Sequence, residues 1–309
     1  MEYRRELIEE TLQRNEIDLA QLDAVVGRGG ALRPMEGGIF SINDEMILDC
    51  STSKYSEHPS NLGCQLAKLF ADEYHLPCYV VDPPLVDEFN EVARNSGFEP
   101  IKRISAFHAL NEKIVARFMA ERLGKKVEDC RMITVHLGSG VSVTAQDAGR
   151  CVDNTYGSGG DGPFSPERAG RMPALELLKV IDNDSDHDWS KWKKLFSKQS
   201  GLVSYSGTNN VLDIYESMLN GVAFAKDILD GMAYMIAKEI AAYATILNWK
   251  VDAIGITGAI AKNSYITDFI ERHVSFIAPV YIYPGEFEME GLANGGIRAL
   301  TGQEVIKTY

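Results

Sequence analysis

The chain has 309 residues, of which 45% are hydrophobic and 24% charged, a balance that suits a folded globular protein with a large core and room for two domains. Its formal charge of −13 excludes the basic footprint that nonspecific binding to nucleic acid or an anionic membrane requires, so an anionic small ligand has to be met by local arginines. Cys50, Cys64, Cys78, Cys130 and Cys151 form no C-x-x-C pair, which argues against a zinc site or a disulfide framework; without a bilayer-length apolar run or a signal-peptide core in MEYRRELIEE, a cytoplasmic location is expected.

In chain order, Leu7, Ile8 and Leu12 predict a helix over Glu6–Asn15. Ala24–Val26 reads as a short strand ending at Gly27-Arg28-Gly29-Gly30. A helix is expected over Asn61–Glu73 and a buried strand over Cys78–Val81, ending at Asp82. Asn111–Leu123 has an amphipathic pattern, with Ile114, Val115, Phe118, Met119 and Leu123 on one face. Alternating strands and helices in this first third indicate an α/β layer.

Ile133–Val135 and Val141–Thr144 then predict a β-hairpin around His136-Leu137-Gly138-Ser139-Gly140. Gly138 and Gly140 permit a close backbone approach, and successive N–H groups in such a turn can make an anion-binding concavity beside His136. The tripeptide alone is weak evidence, since an ordinary hairpin uses glycines in the same way and no P-loop Lys-Ser/Thr follows. Asp182–Lys198 reads as polar and irregular, and Ala223–Trp249 as one long helix with Met232, Ile236, Ile240, Ala244 and Leu247 inward. Ala253–Ile256 predicts a buried strand, followed by the turn Thr257-Gly258-Ala259-Ile260 and a helical run, and Val274–Tyr283 a further strand. A glycine at a strand-to-helix turn is a usual place for nucleotide contact in α/β folds.

Polar residues thus recur at predicted strand ends and glycine-bounded turns: Arg28, Asp82, His136, Arg168 and Thr257. Each also has a plain structural reading. Arg28 can cap a surface turn, Asp82 can cap a helix ahead of Pro83, and Arg168 can pair with Glu167. Their recurrence favours a site, because strand ends converge on clefts in α/β sheets.

Read together, VVGRGG (25–30), HPSNLG (58–63), VVDP (80–83), FHALN (107–111), HLGSG (136–140), GPFSPERAG (162–170), SGTNN (206–210), ITGAIAKN (256–263) and SFIAPVYIYPGE (275–286) occur in the order seen in butyrate kinases. The chain resembles that family over nearly its whole length, with VGRGG and GPFSPE the specific elements. Butyrate kinases are similar to acetate kinases, in the superfamily of sugar kinases, heat-shock ATPases and actin. The resemblance implies an α/β protein of two ribonuclease-H-like domains in the actin-like ATPase fold, with ATP in the cleft between them. It also implies an N-terminal acyl-substrate domain over 1–130 and a C-terminal nucleotide-binding domain over 131–309.

The implied reaction moves the γ-phosphoryl group of ATP to a short-chain carboxylate, reversibly, giving ADP and an acyl phosphate. Because anion meets anion, catalysis is mostly positioning and charge neutralisation. By motif position, Arg28 would hold the carboxylate or the phosphoryl group, Arg168 would neutralise the phosphoryl group, and His108 would donate to its oxygens. Asp82 matches the acidic residue of the magnesium and phosphoryl site, with Glu288 and Glu290 as candidates to assist the metal. His136, Gly138, Ser139 and Gly140 match the second phosphate loop. Gly207, Thr208 and Asn210, with Gly258, Ala259 and Asn263, match nucleotide-contacting turns. The implied partners are ATP or ADP, Mg2+, a small carboxylate or acyl phosphate, and a second copy in a homodimer or larger homo-oligomer.

The sequence departs from the family pattern in several places. Family members begin with a strand and tight turn resembling N-P-G-S-T-S-T-K; no such segment is present, and Met1 falls where they enter the first helix, so an incomplete N-terminal domain is expected. Ser139 and Ala259 stand where glycine is typical, and Asn210 with Leu212 where an acid and an arginine are usual. A second expectation is therefore a catalytically weak or inactive relative that serves in binding or assembly.

Overall fold

The computed structural model describes residues 1–186 and 188–309. Among them are nine strands: β1 (Val25–Gly27), β2 (Ile39–Ser41), β3 (Cys78–Val81), β4 (Arg131–Leu137), β5 (Val141–Asp147), β6 (Arg150–Asn154), β7 (Ala253–Gly258), β8 (Val280–Pro284) and β9 (Ile306–Thr308). The chain divides into two compact units with interleaved segments. One comprises Met1–Asp87, Ala109–Ile114 and Phe287–Tyr309, the other Glu88–His108 and Val115–Glu286. A boundary at residue 130 therefore falls inside the second unit, and the C-terminal segment belongs with the first.

The first unit is built on a four-stranded sheet of order β1-β3-β2-β9, parallel between β1 and β3 and between β2 and β9, antiparallel between β2 and β3. Alternation along the strands gives the sheet two apolar faces. Phe40 and Val80 join Leu32, Met46, Cys64 and Ala67 in one cluster, whereas Ile39, Tyr79 and Val81 join Leu110, Leu292 and Ala299 in another. The Glu288–Leu300 helix meets the second face through glycines: a methyl on Gly291 would lie 2.8 Å from Leu110 Cδ1.

The second unit has a five-stranded sheet of order β6-β5-β4-β7-β8, in which β4, β5 and β6 form an antiparallel meander and β4, β7 and β8 run parallel. Ile133, Val135, Leu137, Ile254 and Ile256 are fully buried and pack in one cluster with Leu229, Met232, Ile236 and Ile240 of the Ala223–Ile246 helix. This apolar stripe at helical spacing is the core face predicted from the sequence.

Two expectations are corrected here. The stretch Asp182–Lys198 is not irregular throughout, since Trp189–Lys198 is a helix capped by the Asp188 carboxylate, which accepts from the Ser190 N–H, with Trp192 buried and stacked on Phe196; residue 187 lies outside the described residues. The strand expected from Val274 begins only at Val280, because Ser264–Val274 is an amphipathic helix whose Ile266, Ile270 and Val274 are buried.

Candidate active site

In the second unit, the β4–β5 connection forms the predicted hairpin, longer than the sequence suggested. Strand β4 runs through His136 to Leu137, the Gly138 N–H donates to the Gly140 carbonyl (3.0 Å), and Val141 resumes the ladder opposite Leu137. The His136 side chain is buried beneath this turn, with Nε2 2.9 Å from where a methyl on Gly138 would stand. His108, the residue before the Ala109–Arg122 helix, stacks on His136 with ring centroids 3.7 Å apart and an interplanar angle of 15°. Its Nδ1 lies 2.8 Å from the Ser142 hydroxyl of β5, which fixes the ring's rotation. Two histidines 28 positions apart in sequence thereby form one stacked imidazole pair beside the glycine turn.

Arg168 lies over the same turn. A methyl on Gly140 would sit 2.6 Å from its Cζ, so the absence of a side chain at 140 is what lets the guanidinium rest there. The plain pairing with Glu167 does not occur, because Glu167 accepts from Asn209 at 2.8 Å and pairs with Lys198 at 3.7 Å. Among the described residues no carboxylate is within ion-pair distance of Arg168. Burial pushes its guanidinium down from the ordinary value, and Glu167 and Tyr156 oppose that shift. A half-buried arginine without a partner is costly, and an incoming anion would remove the cost.

Next to the turn lies a cavity of about 630 Å³, lined by Gly138, Ser139, Pro166, Asn209, Asn210, Val211, Leu212, Tyr215, Ala259, Ile260, Lys262, Asn263 and Ser264. Five expected nucleotide residues meet here: Gly138, Ser139, Asn210, Ala259 and Asn263. Asn210 and Asn263 are the caps of the Val211–Leu219 and Ser264–Val274 helices, accepting from the N–H groups of Leu212 and Tyr265 at 3.1 Å. Two helix N-termini therefore line one cavity, a setting that favours bound negative charge. Gly258 is close behind, at φ +95° and hydrogen-bonded to Gly285 in both directions. Gly207 and Thr208 are set apart from this lining; Thr208 lines a smaller cavity with Asp213 and Phe224, and Gly207 caps the preceding helix at φ +77°. Sequence reasoning missed Asn209, Tyr215 and Lys262, although Asn209 and Lys262 lie inside the quoted motifs and Leu212 with Tyr215 shows the three-residue spacing of one helix face.

In the first unit, Arg28 follows β1 and is no surface cap. Its Nε and Nη2 donate to the two carboxylate oxygens of Glu288, both at 3.0 Å, while buried Nη1 has no partner among the described residues. Gly27 and Gly63 let this loop close on the Leu62–Tyr74 helix, and Asn61 Oδ1 accepts from the Ala31 N–H at 2.8 Å. His58, quoted in HPSNLG but given no role from sequence, faces the same pair. Burial and the Arg28 charge hold its imidazole below the ordinary value, against the pull of Glu288. Asp82 is buried at φ +41°; its Oδ1 accepts from the Gly38 N–H at 2.8 Å, and no helix follows for it to cap. Glu290 is exposed in the first turn of the Glu288–Leu300 helix.

No group of three or more His, Cys, Asp and Glu among the described residues is arranged to hold a metal ion. Magnesium does not require such a group, since one or two carboxylates suffice and substrate phosphates and water complete its shell. Asp82, a tethered hard oxygen donor, fits such a role. No helix of the described residues is long and apolar enough to cross a membrane.

Residues 96–278 match the model of the acetokinase family. The chain is 42% identical over 308 residues to butyrate kinase 2 of Clostridium acetobutylicum, covering 100% of this chain and 86% of the relative. It is 43% identical over 307 residues to a probable butyrate kinase of Enterococcus faecalis, covering 99% and 84%. The crystal structure of Porphyromonas gingivalis acetate kinase superposes with a TM-score of 0.77 at 19% identity, covering 96% of this chain and 84% of that one. The likeness in fold assigns the two α/β units to the actin-like ATPase fold.

Proposed function

Because this chain belongs to the acetokinase family and is a kinase, we propose that it transfers the γ-phosphoryl group of ATP to butyrate or a branched short-chain analogue, giving ADP and an acyl phosphate, and that it runs the reaction in reverse. A carboxylate is already ionised at neutral pH, so its oxygen attacks the γ-phosphorus as the bond to ADP breaks, and no general base is needed. What the protein must supply is orientation and positive charge.

The observation that carries this reading is the unpaired Arg168 guanidinium over Gly140, beside the stacked His108–His136 pair and the two-helix cavity. In the proposal, nucleotide occupies that cavity, with Lys262 and the two helix N-termini meeting its negative charge. Arg168 neutralises the transferring group, and His108, oriented by Ser142, donates to its oxygens. Arg28 receives the acyl carboxylate through Nη1, while Glu288 holds the other edge of the fork and His58 faces the pair. Asp82, with Glu288 or Glu290, would hold the magnesium ion that offsets phosphate charge. The alternative of an inactive binding protein finds no support in the comparisons.

Trapping with hydroxylamine across straight and branched acids of two to six carbons tests the acceptor class. Hydroxamate formation is expected to be fastest with four-carbon acids and to fall about tenfold or more for acetate, given about 1–3 kcal/mol of discrimination per methylene. Hydroxamate from none of the acids, or a preference for acetate, would overturn the assignment.

A further inference from the structure

We propose that Ser165 is a positioning residue that latches the Arg168 loop to the glycine turn and sets both in register for phosphoryl transfer; this rests on the role of Arg168 proposed above. Ser165 is 1% exposed. Its hydroxyl donates to the Ser139 carbonyl at 2.7 Å and accepts from the Arg168 N–H at 3.1 Å, so one oxygen bridges the two segments. Its own N–H donates to the Arg168 carbonyl at 3.1 Å, closing a small ring that fixes the backbone of residues 165–168.

The ring is held from outside as well. The Ser165 carbonyl accepts from the Leu202 N–H at 3.1 Å, an approach open only because residue 201 has no side chain: the Arg168 carbonyl stands 2.7 Å from where a methyl on Gly201 would be. The Glu167 N–H adds a second donor to the Ser139 carbonyl at 3.3 Å. That carbonyl is therefore turned toward the arginine loop by two donors. In a trans peptide the N–H points opposite its C=O, so the same contacts rotate the Gly140 N–H away from the loop. Ser165 thus governs two donors at once: the Arg168 guanidinium over the turn and the Gly140 N–H within it. Neither the Gly-Ser-Gly turn nor the arginine alone accounts for a buried hydroxyl placed between them.

The test is a double-mutant cycle in kcat on the full chain, with Ser165→Ala, Arg168→Ala and the pair, ATP and butyrate as substrates. Ser165→Ala is expected to lower kcat about tenfold to a hundredfold, the usual effect of losing a hydrogen bond that aims a charged group, with the KM for butyrate within about twofold. In the Arg168→Ala background the same change is expected to lower kcat by clearly less than in the wild-type chain, the remaining loss coming through the Gly140 N–H. Ser165→Thr, which keeps the hydroxyl, is expected to recover most of the lost rate. Multiplicative losses in the cycle, an unchanged kcat in Ser165→Ala, or a Ser165→Thr enzyme as slow as Ser165→Ala would each overturn the inference. A Ser165→Ala chain that fails to fold also counts against it, since the hydroxyl would then support the fold at large. Wild-type turnover in Arg168→Ala would instead remove the reading of Arg168 on which the latch depends, so the two failures are distinct.

Discussion

Replacing Arg168 by alanine is expected to lower kcat by about 10³ to 10⁵, the range for an arginine that neutralises charge on a transferring phosphoryl group. The KM for butyrate should change little. The physical reason is the state of the side chain before substrate arrives: its guanidinium rests over Gly140, partly desolvated, with no carboxylate within ion-pair distance among the described residues. Its electrostatic potential is therefore available where negative charge develops, without first breaking an ion pair. Arg28 differs, because two of its nitrogens are already committed to Glu288. Steady-state kinetics on Arg168→Ala and Arg168→Lys provide the check. Lysine keeps the charge but loses the planar fork, so it should recover only part of the rate. A loss below tenfold in Arg168→Ala would remove this residue from the chemistry.

A large effect on stability is expected from Gly258→Ala. Gly258 ends β7 at φ +95°, and an added methyl would lie 2.6 Å from the Leu137 carbonyl carbon and 2.7 Å from its nitrogen. Both are backbone atoms of a buried strand and cannot yield as a side chain would. Backbone strain of about 1–3 kcal/mol and overpacking of about 1–3 kcal/mol together predict a loss of roughly 2–6 kcal/mol. Gly207 supplies the control, since it too has positive φ (+77°) but nothing within 4 Å of an added methyl, so Gly207→Ala should cost only about 1 kcal/mol. Denaturant unfolding of both variants separates the two terms. Equal losses would show that strain alone matters at residue 258.

The sequence made local elements readable wherever apolar periodicity was strong. The Ala223–Ile246 helix and the β4–β5 hairpin show that best, because burial of one face forces the spacing of Met232, Ile236 and Ile240 or the alternation along the strands. The Trp189–Lys198 helix escaped notice because Trp192 alone is buried there and lysines dominate the rest. Long-range assembly was not readable at all. Ile306–Thr308 pairs with β2, and Glu288 clamps Arg28 across 260 positions, yet neither segment carries a local signal for its partner. Functional residues followed the same rule. Glycine turns and polar strand ends could be singled out from residue chemistry, but roles for Arg168 and His108 came only with the family motifs. His58 and Ser165 lay inside quoted motifs and became visible only through what they touch.

The central claim, phosphoryl transfer from ATP to a carboxylate, is tested most directly by phosphorus NMR of this chain with ATP, Mg2+ and butyrate. The expected result is an acyl-phosphate resonance that grows in step with ADP, disappears when butyrate is omitted, and yields ATP again when ADP is added in excess. Unchanged ATP, or ATP converted to inorganic phosphate at the same rate without butyrate, would contradict it.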